Sequence, residues 1–310
     1  MDENGTTFPE ARARSLLVRL APGSELVSIN LAEGSFSNFT HVLTTAQPKD
    51  GHLYRAVVRR YKVFGNYDRG EKARREFKTF ELLNRHRVPA PEPLLLDVTG
   101  DVLGLPGIVV SFVEGRLMLD APNDPLNWAR KLAATLVEIH SIPCGEEEQK
   151  FLLRGNQEAT WFLNSENPPP YMQAYPGGAE LWSFLQEQLP KVERVPPVLL
   201  HIDYWSGNIL WHRNEISAVI DWEEAAYGDP AVDVGYAAMN MALMGLPEAG
   251  NEFIGTYESR TGRVLRNLGF WELAAAVRPM MDPVDWQIHQ PPGSERFQQF
   301  IEQAKKRFEG

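Results

Sequence analysis

Cysteine is almost missing from this chain of 310 residues. Cys144 stands alone, so no disulfide can form within the chain. That excludes a disulfide scaffold and fits a reducing compartment. Cys144 is followed by Gly145 and three glutamates, and acids raise a thiol pKa, so it does not read as a poised thiolate. Long apolar runs are missing too. A membrane-spanning helix needs roughly 20 apolar residues, and the stretch Gly235–Leu246 contains Asn240 and is cut by Pro247. The opening MDENGTTFPE carries acids and no apolar segment, unlike a secretory signal. Positive charge is short: 31 Lys and Arg against 41 Asp and Glu leave a net charge of −10. The basic face of a general nucleic-acid binder is therefore not expected. These absences predict a cytoplasmic protein with neither a nucleic-acid nor a membrane partner.

What is present suits an ordinary globular enzyme. Hydrophobic residues make up 43% of the chain and charged residues 23%, which suffices for sizeable cores in about two domains. Residues 9–20 show helical spacing, stopped by Pro22-Gly23. Strand-like runs follow at 26–31, 39–45 and 53–60. A helix with an apolar stripe through Phe77, Phe80 and Leu83 is predicted over 70–86, ended by Val88-Pro89-Ala90-Pro91. Two short strands are expected at 93–97 and 107–113. Beyond a linker near 112–118 the pattern turns helical, with helices over 125–140, 179–188, 231–244, 252–261, 270–280 and 294–308. Residues 155–177, rich in Asn, Pro, Gly and aromatics, read as an extended surface loop.

The chemistry concentrates in residues 198–235. The apolar runs 198–200 and 209–211 flank a polar loop holding His201, Asp203 and Asn208, and the run 218–220 ends on Asp221. One carboxylate as a base, with Asn and Asp oxygens as hard ligands, suits Mg²⁺ bound beside nucleotide phosphates. Phosphoryl transfer asks a protein mainly for positioning and charge neutralisation. A lone Asp in a loop usually caps or turns, but four such residues together are harder to explain that way.

The order H-x-D-x-x-x-x-N, then I-D-W-E and G-D-P-x-x-D, resembles the aminoglycoside phosphotransferase and choline kinase-like family. The resemblance implies an α+β, bilobal protein-kinase-like fold. A small antiparallel β-rich N-terminal lobe with one central helix would span 1–113, with 1–22 as a helical extension. A larger, mainly helical lobe would span 114–310 and carry the catalytic loop, metal site and acceptor pocket. Upstream, Gly34-Ser35-Phe36-Ser37-Asn38 resembles the nucleotide-phosphate loop and Ala56-Val57-Val58-Arg59 the third-strand motif of kinases. Val109–Val113 resembles the adenine-binding hinge.

The resemblance implies a role for each of these residues. Asp203 is the base that accepts the acceptor's hydroxyl proton. Asn208 and Asp221 are Mg²⁺ ligands. Arg59 meets the phosphates and pairs with Glu76. Gly34, Ser35, Ser37 and Asn38 cover the phosphates, and Ser111 and Val113 hold the base of the nucleotide. ATP is the implied donor, with GTP left open. His201, Asp229 and Asp233 read as groups that brace the loop, and Glu223 stays open between a metal-site and a substrate role.

Three features depart from the pattern. Arg59 stands for the expected lysine and is not interchangeable with it. Ile202 follows His201 where many relatives have glycine. Asp221-Trp222-Glu223 replaces the D-F-G of protein kinases, and A-P-E is missing, which argues against a protein substrate. The expected activity is ATP-dependent transfer of a γ-phosphoryl group to a hydroxyl of a small molecule. The alternative is a kinase-like module that binds nucleotide or metabolite without turnover. The acceptor stays open among amino sugar, choline-like and other alcohols. Glu224, Asp282 and Asp285 would suit a cation, and Trp161, Tyr171 and Trp271 could stack a ring.

Overall fold

A computed structural model describes residues 7–32, 38–49, 51–63 and 68–309. The chain divides into two compact units, Met1–Gly115 with Ser217–Glu223, and Arg116–Ile216 with Glu224–Gly310. Where the sequence suggested one cut after residue 113, the chain returns to the first unit for the seven residues that carry Asp221 and Glu223.

The first unit holds helix α1 (Glu10–Leu20), strands β1 (Glu25–Leu31), β2 (Asn38–Ala46) and β3 (Leu53–Tyr61), helix α2 (Arg69–Arg85), and strands β4 (Pro93–Asp97) and β5 (Gly107–Ser111). The strands form one antiparallel sheet in the order β1-β2-β3-β5-β4. Alternation along the strands sends Leu43, Ala56, Val58 and Val109 to one core, which also takes Phe8, Ala13 and Leu16. Each such large side chain contributes about 1.5–3 kcal/mol on burial. Helix α2 begins where Asp68 caps the amide of Glu71 at 2.9 Å. Its inner face buries Ala73, Phe80, Leu82 and Leu83, and with them the polar Lys72, Arg75, Glu76 and Thr79. Such a buried polar row demands partners. At Gly107 of β5, a Cβ would meet the carbonyl oxygen of Arg59 at 2.2 Å, so this strand can approach β3 only with glycine there.

The second unit runs through β6 (Arg116–Leu117), α3 (Pro125–His140), α4 (Glu146–Gln149), β7 (Leu153–Arg154), α5 (Gly155–Glu158), α6 (Pro170–Ala174), α7 (Gly178–Gln188), β8 (Val198–Leu200) and β9 (Ile209–His212). Strand β10 (Glu215–Val219) carries the chain back toward the first unit. Strand β11 (Ala226–Gly228) and helices α8 (Ala231–Leu243), α9 (Pro247–Thr261), α10 (Leu268–Ala275), α11 (Val277–Met281) and α12 (Gly293–Glu309) follow. Helix α8 is buried from Ala231 to Ala242 with neighbours α9, α10 and α12, which explains why its apolar residues show no single face. Gly235 lets α10 come close, since a Cβ there would sit 3.0 Å from the amide nitrogen of Glu272.

The predicted α+β, kinase-like plan is the one observed, with local differences. The stretch 155–177 is not an extended loop. It folds as α5, a 3₁₀ turn at Trp161–Leu163 and α6, burying Phe162, Leu163 and Met172. Pro170 starts α6 at a position where its missing N–H costs nothing, and Trp182 donates to the Phe162 carbonyl at 3.1 Å. The single helix expected over 270–280 is two, α10 and α11. The helix expected from 252 begins earlier, at Pro247. Among the described residues, no helix is long and apolar enough to cross a membrane. Cys144 is the inert thiol expected, pushed up to about 12 by burial and by Glu148.

Candidate active site

Two polar clusters stand out, one in each unit. In the first, Arg59 projects from β3 with its side chain 10% exposed. Its Nη2 donates to Asp221 Oδ1 at 2.7 Å. Its Nε lies 3.2 Å from Glu76 Oε2, close enough for charge attraction but without hydrogen-bond alignment. Burial works against the guanidinium charge, and Asp221 and Glu76 more than offset it, so the arginine is held well above its usual range. Glu76 is fully buried, accepts from the Tyr61 hydroxyl, and accepts the Trp222 amide at 3.2 Å. Asp221 adopts φ 66°, a left-handed conformation that Asp tolerates better than most residues.

Glu223 is 9% exposed and belongs to the same cluster. It accepts from Asn38 Nδ2 at 2.6 Å and from Lys72 Nζ at 3.3 Å, while Arg75 holds its carbonyl at 2.6 Å. The cluster thus sets three carboxylates, Glu76, Asp221 and Glu223, against three cations, Arg59, Lys72 and Arg75. Burial, then Asp221, raises Glu223. Glu76 is raised to about 7, by burial first and with Arg59 opposing. A folded carboxyl that keeps its proton to higher pH binds more protons than the unfolded chain between about pH 4.5 and 7. The stability owed to Glu76 is therefore expected to fall as pH rises through that window and to level off above it. Urea unfolding at pH 5 and pH 8 checks this. Glu76→Gln should flatten most of the slope, with the remainder coming from Glu223, and an unchanged slope would refute the assignment.

In the second unit, the loop after β8 carries His201, Ile202 and Asp203. Asp233, near the start of α8, accepts the His201 amide on Oδ2 and the Ile202 amide on Oδ1, each at 2.7 Å. It also meets His140 Nε2 at 3.2 Å, and His140 Nδ1 meets the Tyr257 hydroxyl at 2.8 Å. This grip holds Ile202 at φ 73°, an outlying conformation for a β-branched residue. His201 is wholly buried, and its Nδ1 faces the Asp203 amide at 3.3 Å. Asp203 stays partly open, with its side chain 30% exposed. Asn208 Nδ2 donates to its carboxylate at 2.8 Å and its carbonyl at 2.9 Å. Since both amide hydrogens point to Asp203, Oδ1 of Asn208 is the atom left to ligate.

Arg278 of α11 reaches the same carboxylate, with Nη1 3.3 Å from Asp203 Oδ1 and Nη2 3.0 Å from Glu224 Oε2. Burial, then the neighbouring Asp203, lifts the Tyr236 phenol well above its usual range. Asp229 caps α8 through the Ala231 amide at 2.9 Å and holds Asn267 and Trp271 at 2.6 and 2.8 Å.

The structure brings together, within the first unit, Asn38, Arg59, Glu76 and Asp221, and within the second, Asp203 and Asn208. Gly34, Ser35 and Ser37 lie outside the described residues. The Ser111 amide donates to the Glu92 carbonyl at 2.8 Å, and its hydroxyl accepts the Glu92 amide at 2.8 Å. Val113 lies just past the end of β5. Lys72, Tyr61, Tyr236 and Arg278 were not foreseen, and Glu224 was foreseen only as an acid of the acceptor region. Lys72 stands one helical turn before Glu76 on the same buried face, a spacing that could have exposed it. Nothing local marks Arg278, which lies 75 residues from Asp203.

A basic strand residue tied to a helix glutamate and an aspartate, and a separate aspartate–asparagine loop, define a phosphotransferase of kinase-like fold. The sequence pattern of the phosphotransferase enzyme family (APH) matches residues 28–271, and the chain belongs to that family. Among solved structures, a choline kinase of Streptococcus pneumoniae superposes with a TM-score of 0.60 at 16% identity, covering 96% of this chain and 99% of the other. A thermostable mutant of an aminoglycoside phosphotransferase, solved with ADP and hygromycin B, superposes at 0.58 with 15% identity, covering 96% of each chain. Acyl-CoA dehydrogenase family member 11 of Gallus gallus is 28% identical over 247 residues, 74% of this chain and 31% of that protein. The chain thus spans less than a third of the length of such curated relatives.

Proposed function

We propose that this chain transfers the γ-phosphoryl group of ATP to a hydroxyl of a small molecule, with Asp203 as the base. The observation that carries the reading is the Arg59–Glu76–Asp221 ion cluster. A fixed guanidinium with an aspartate beside it suits nucleotide phosphates, which need positioning and charge neutralisation. The first unit is the nucleotide-binding part and the second the acceptor-binding part. Arg59 would take phosphate oxygens with its fork of N–H groups. Asp203 would take the hydroxyl proton as the acceptor oxygen bonds to the γ-phosphorus and the bridging P–O bond breaks, releasing ADP.

The donor chemistry fits Mg²⁺. Asp221 offers a carboxylate and Asn208 an amide oxygen, and Mg²⁺ takes one or two such protein oxygens beside phosphates and waters. Bound there, Mg²⁺ would neutralise phosphate charge. Each residue is assigned from its own unit's geometry.

The name of the Gallus gallus relative favours a second reading of the acceptor, as the hydroxyl of an acyl-type molecule, and a hydroxyacyl thioester belongs in any substrate panel. Mg-ATP at 100 times its dissociation constant is expected to stabilise the fold by about 2.7 kcal/mol, seen as a raised Tm that EDTA largely reverses. No shift at saturating Mg-ATP would contradict the proposal.

A further inference from the structure

The acceptor side of the second unit holds a cavity of about 20 Å³, room for roughly one water. Its walls include Ile202, Trp161, Phe162, Tyr236, Trp271 and Arg278. One of these, Arg278, touches Asp203. Arg278 is the one charged residue among those that wall the cavity. Its guanidinium sits 4.8 Å from the Tyr236 ring centroid and bridges Asp203 to Glu224.

Ammonium groups are recognised by carboxylates and by aromatic faces. Here Asp203, Glu224 and the Tyr236 face would together make such a receptor, and the chain's own guanidinium already fills it. An amine entering beside Asp203 would have to displace Arg278 or lie against it, and like charges brought together cost several kcal/mol. The other walls are aromatic or aliphatic. Ile202 extends that character, because its strained backbone holds a β-branched side chain where glycine would leave open space.

We propose that the acceptor is an apolar alcohol, uncharged around its reacting hydroxyl, and that Arg278 excludes amines by occupying the Asp203–Glu224 pair itself. This rests on Asp203 being the acceptor-side base. The cationic acceptors left open by the sequence are those this site turns away.

Matched alcohols test it by binding, read separately from turnover. Calorimetry of the wild-type chain with 1-octanol and with 2-amino-1-octanol should show the neutral alcohol binding about a hundredfold tighter, the scale of a like-charge clash of several kcal/mol. Arg278→Gln should narrow or invert that ratio by freeing the two carboxylates, while Arg278→Lys should keep it. The proposal is overturned if the amino alcohol binds wild type as tightly, if neither alcohol binds, or if Arg278→Gln leaves the ratio unchanged. Should Arg278→Gln not fold, the wild-type ratio and the lysine variant decide alone. If the preference holds but neither alcohol is phosphorylated in the presence of Mg-ATP, the exclusion of amines by Arg278 stands as a binding property while the bound alcohol is no longer an acceptor, and the phosphotransfer reading fails.

Discussion

Asparagine in place of Asp203 should slow acceptor phosphorylation by about 10²–10⁴-fold, the usual worth of a positioned general base, with nucleotide affinity unchanged. The substitution keeps the shape of the side chain and one acceptor oxygen, enough for the Asn208 amide or for Arg278 but not for both, while the Asp233 grip on the loop is untouched. What it removes is the capacity to take a proton. Asp203 suits that role because it is held without being smothered. Asn208 and Arg278 fix its orientation, yet its side chain remains 30% exposed. Thermal unfolding of the variant separates the two effects. A large loss of rate with Tm preserved supports the base, whereas a rate near wild type means that the proton leaves by another route.

Methionine in place of Arg59 should cost about 3–5 kcal/mol of stability at pH 8, the usual consequence of leaving a buried ion pair half-made. Glu76, with no exposed surface, would keep a charge without its counter-ion. The exposure of Asp221, 23% at the side chain, lets water take over part of its share. At pH 5 the loss should be smaller, since Glu76, already raised to about 7, can take up a proton and shed its charge. Arg59→Lys should fall between, because one ammonium cannot span Asp221 and Glu76 as the guanidinium does. Urea midpoints at the two pH values, with m unchanged, measure this. An equal loss at both would mean that packing, rather than charge, is what Arg59 supplies.

How far the sequence could be read depended on the range of the interaction. The kinase-like α+β plan and the family were legible, because period-two runs, the stripe of α2 and the ordered motif over 201–233 are all local signals. The same locality brought Asn208 to Asp203, five residues away. Residues 155–177 misled because Pro and Gly punctuate short helices as readily as loops, and only tertiary burial of Phe162 and Met172 separates the two. Lys72 was passed over because a lysine on a helix usually faces water, and here Glu223, 151 residues on, holds it inside. Arg278 carries no motif, since its partners come from other elements of the second unit. Ile202 stood out as a departure from glycine, but its strain came from Asp233 clamping two successive amides, which no spacing reveals.

The most direct test of phosphotransfer is ³¹P NMR of Mg-ATP with a panel of apolar alcohols and hydroxyacyl thioesters. With the wild-type chain, a phosphomonoester resonance should grow as the γ-phosphate signal of ATP decays one for one. With Asp203→Asn it should be all but missing over the same hours. A phosphoester formed at the wild-type rate by the variant, or γ-phosphate passing only to water, would contradict the account.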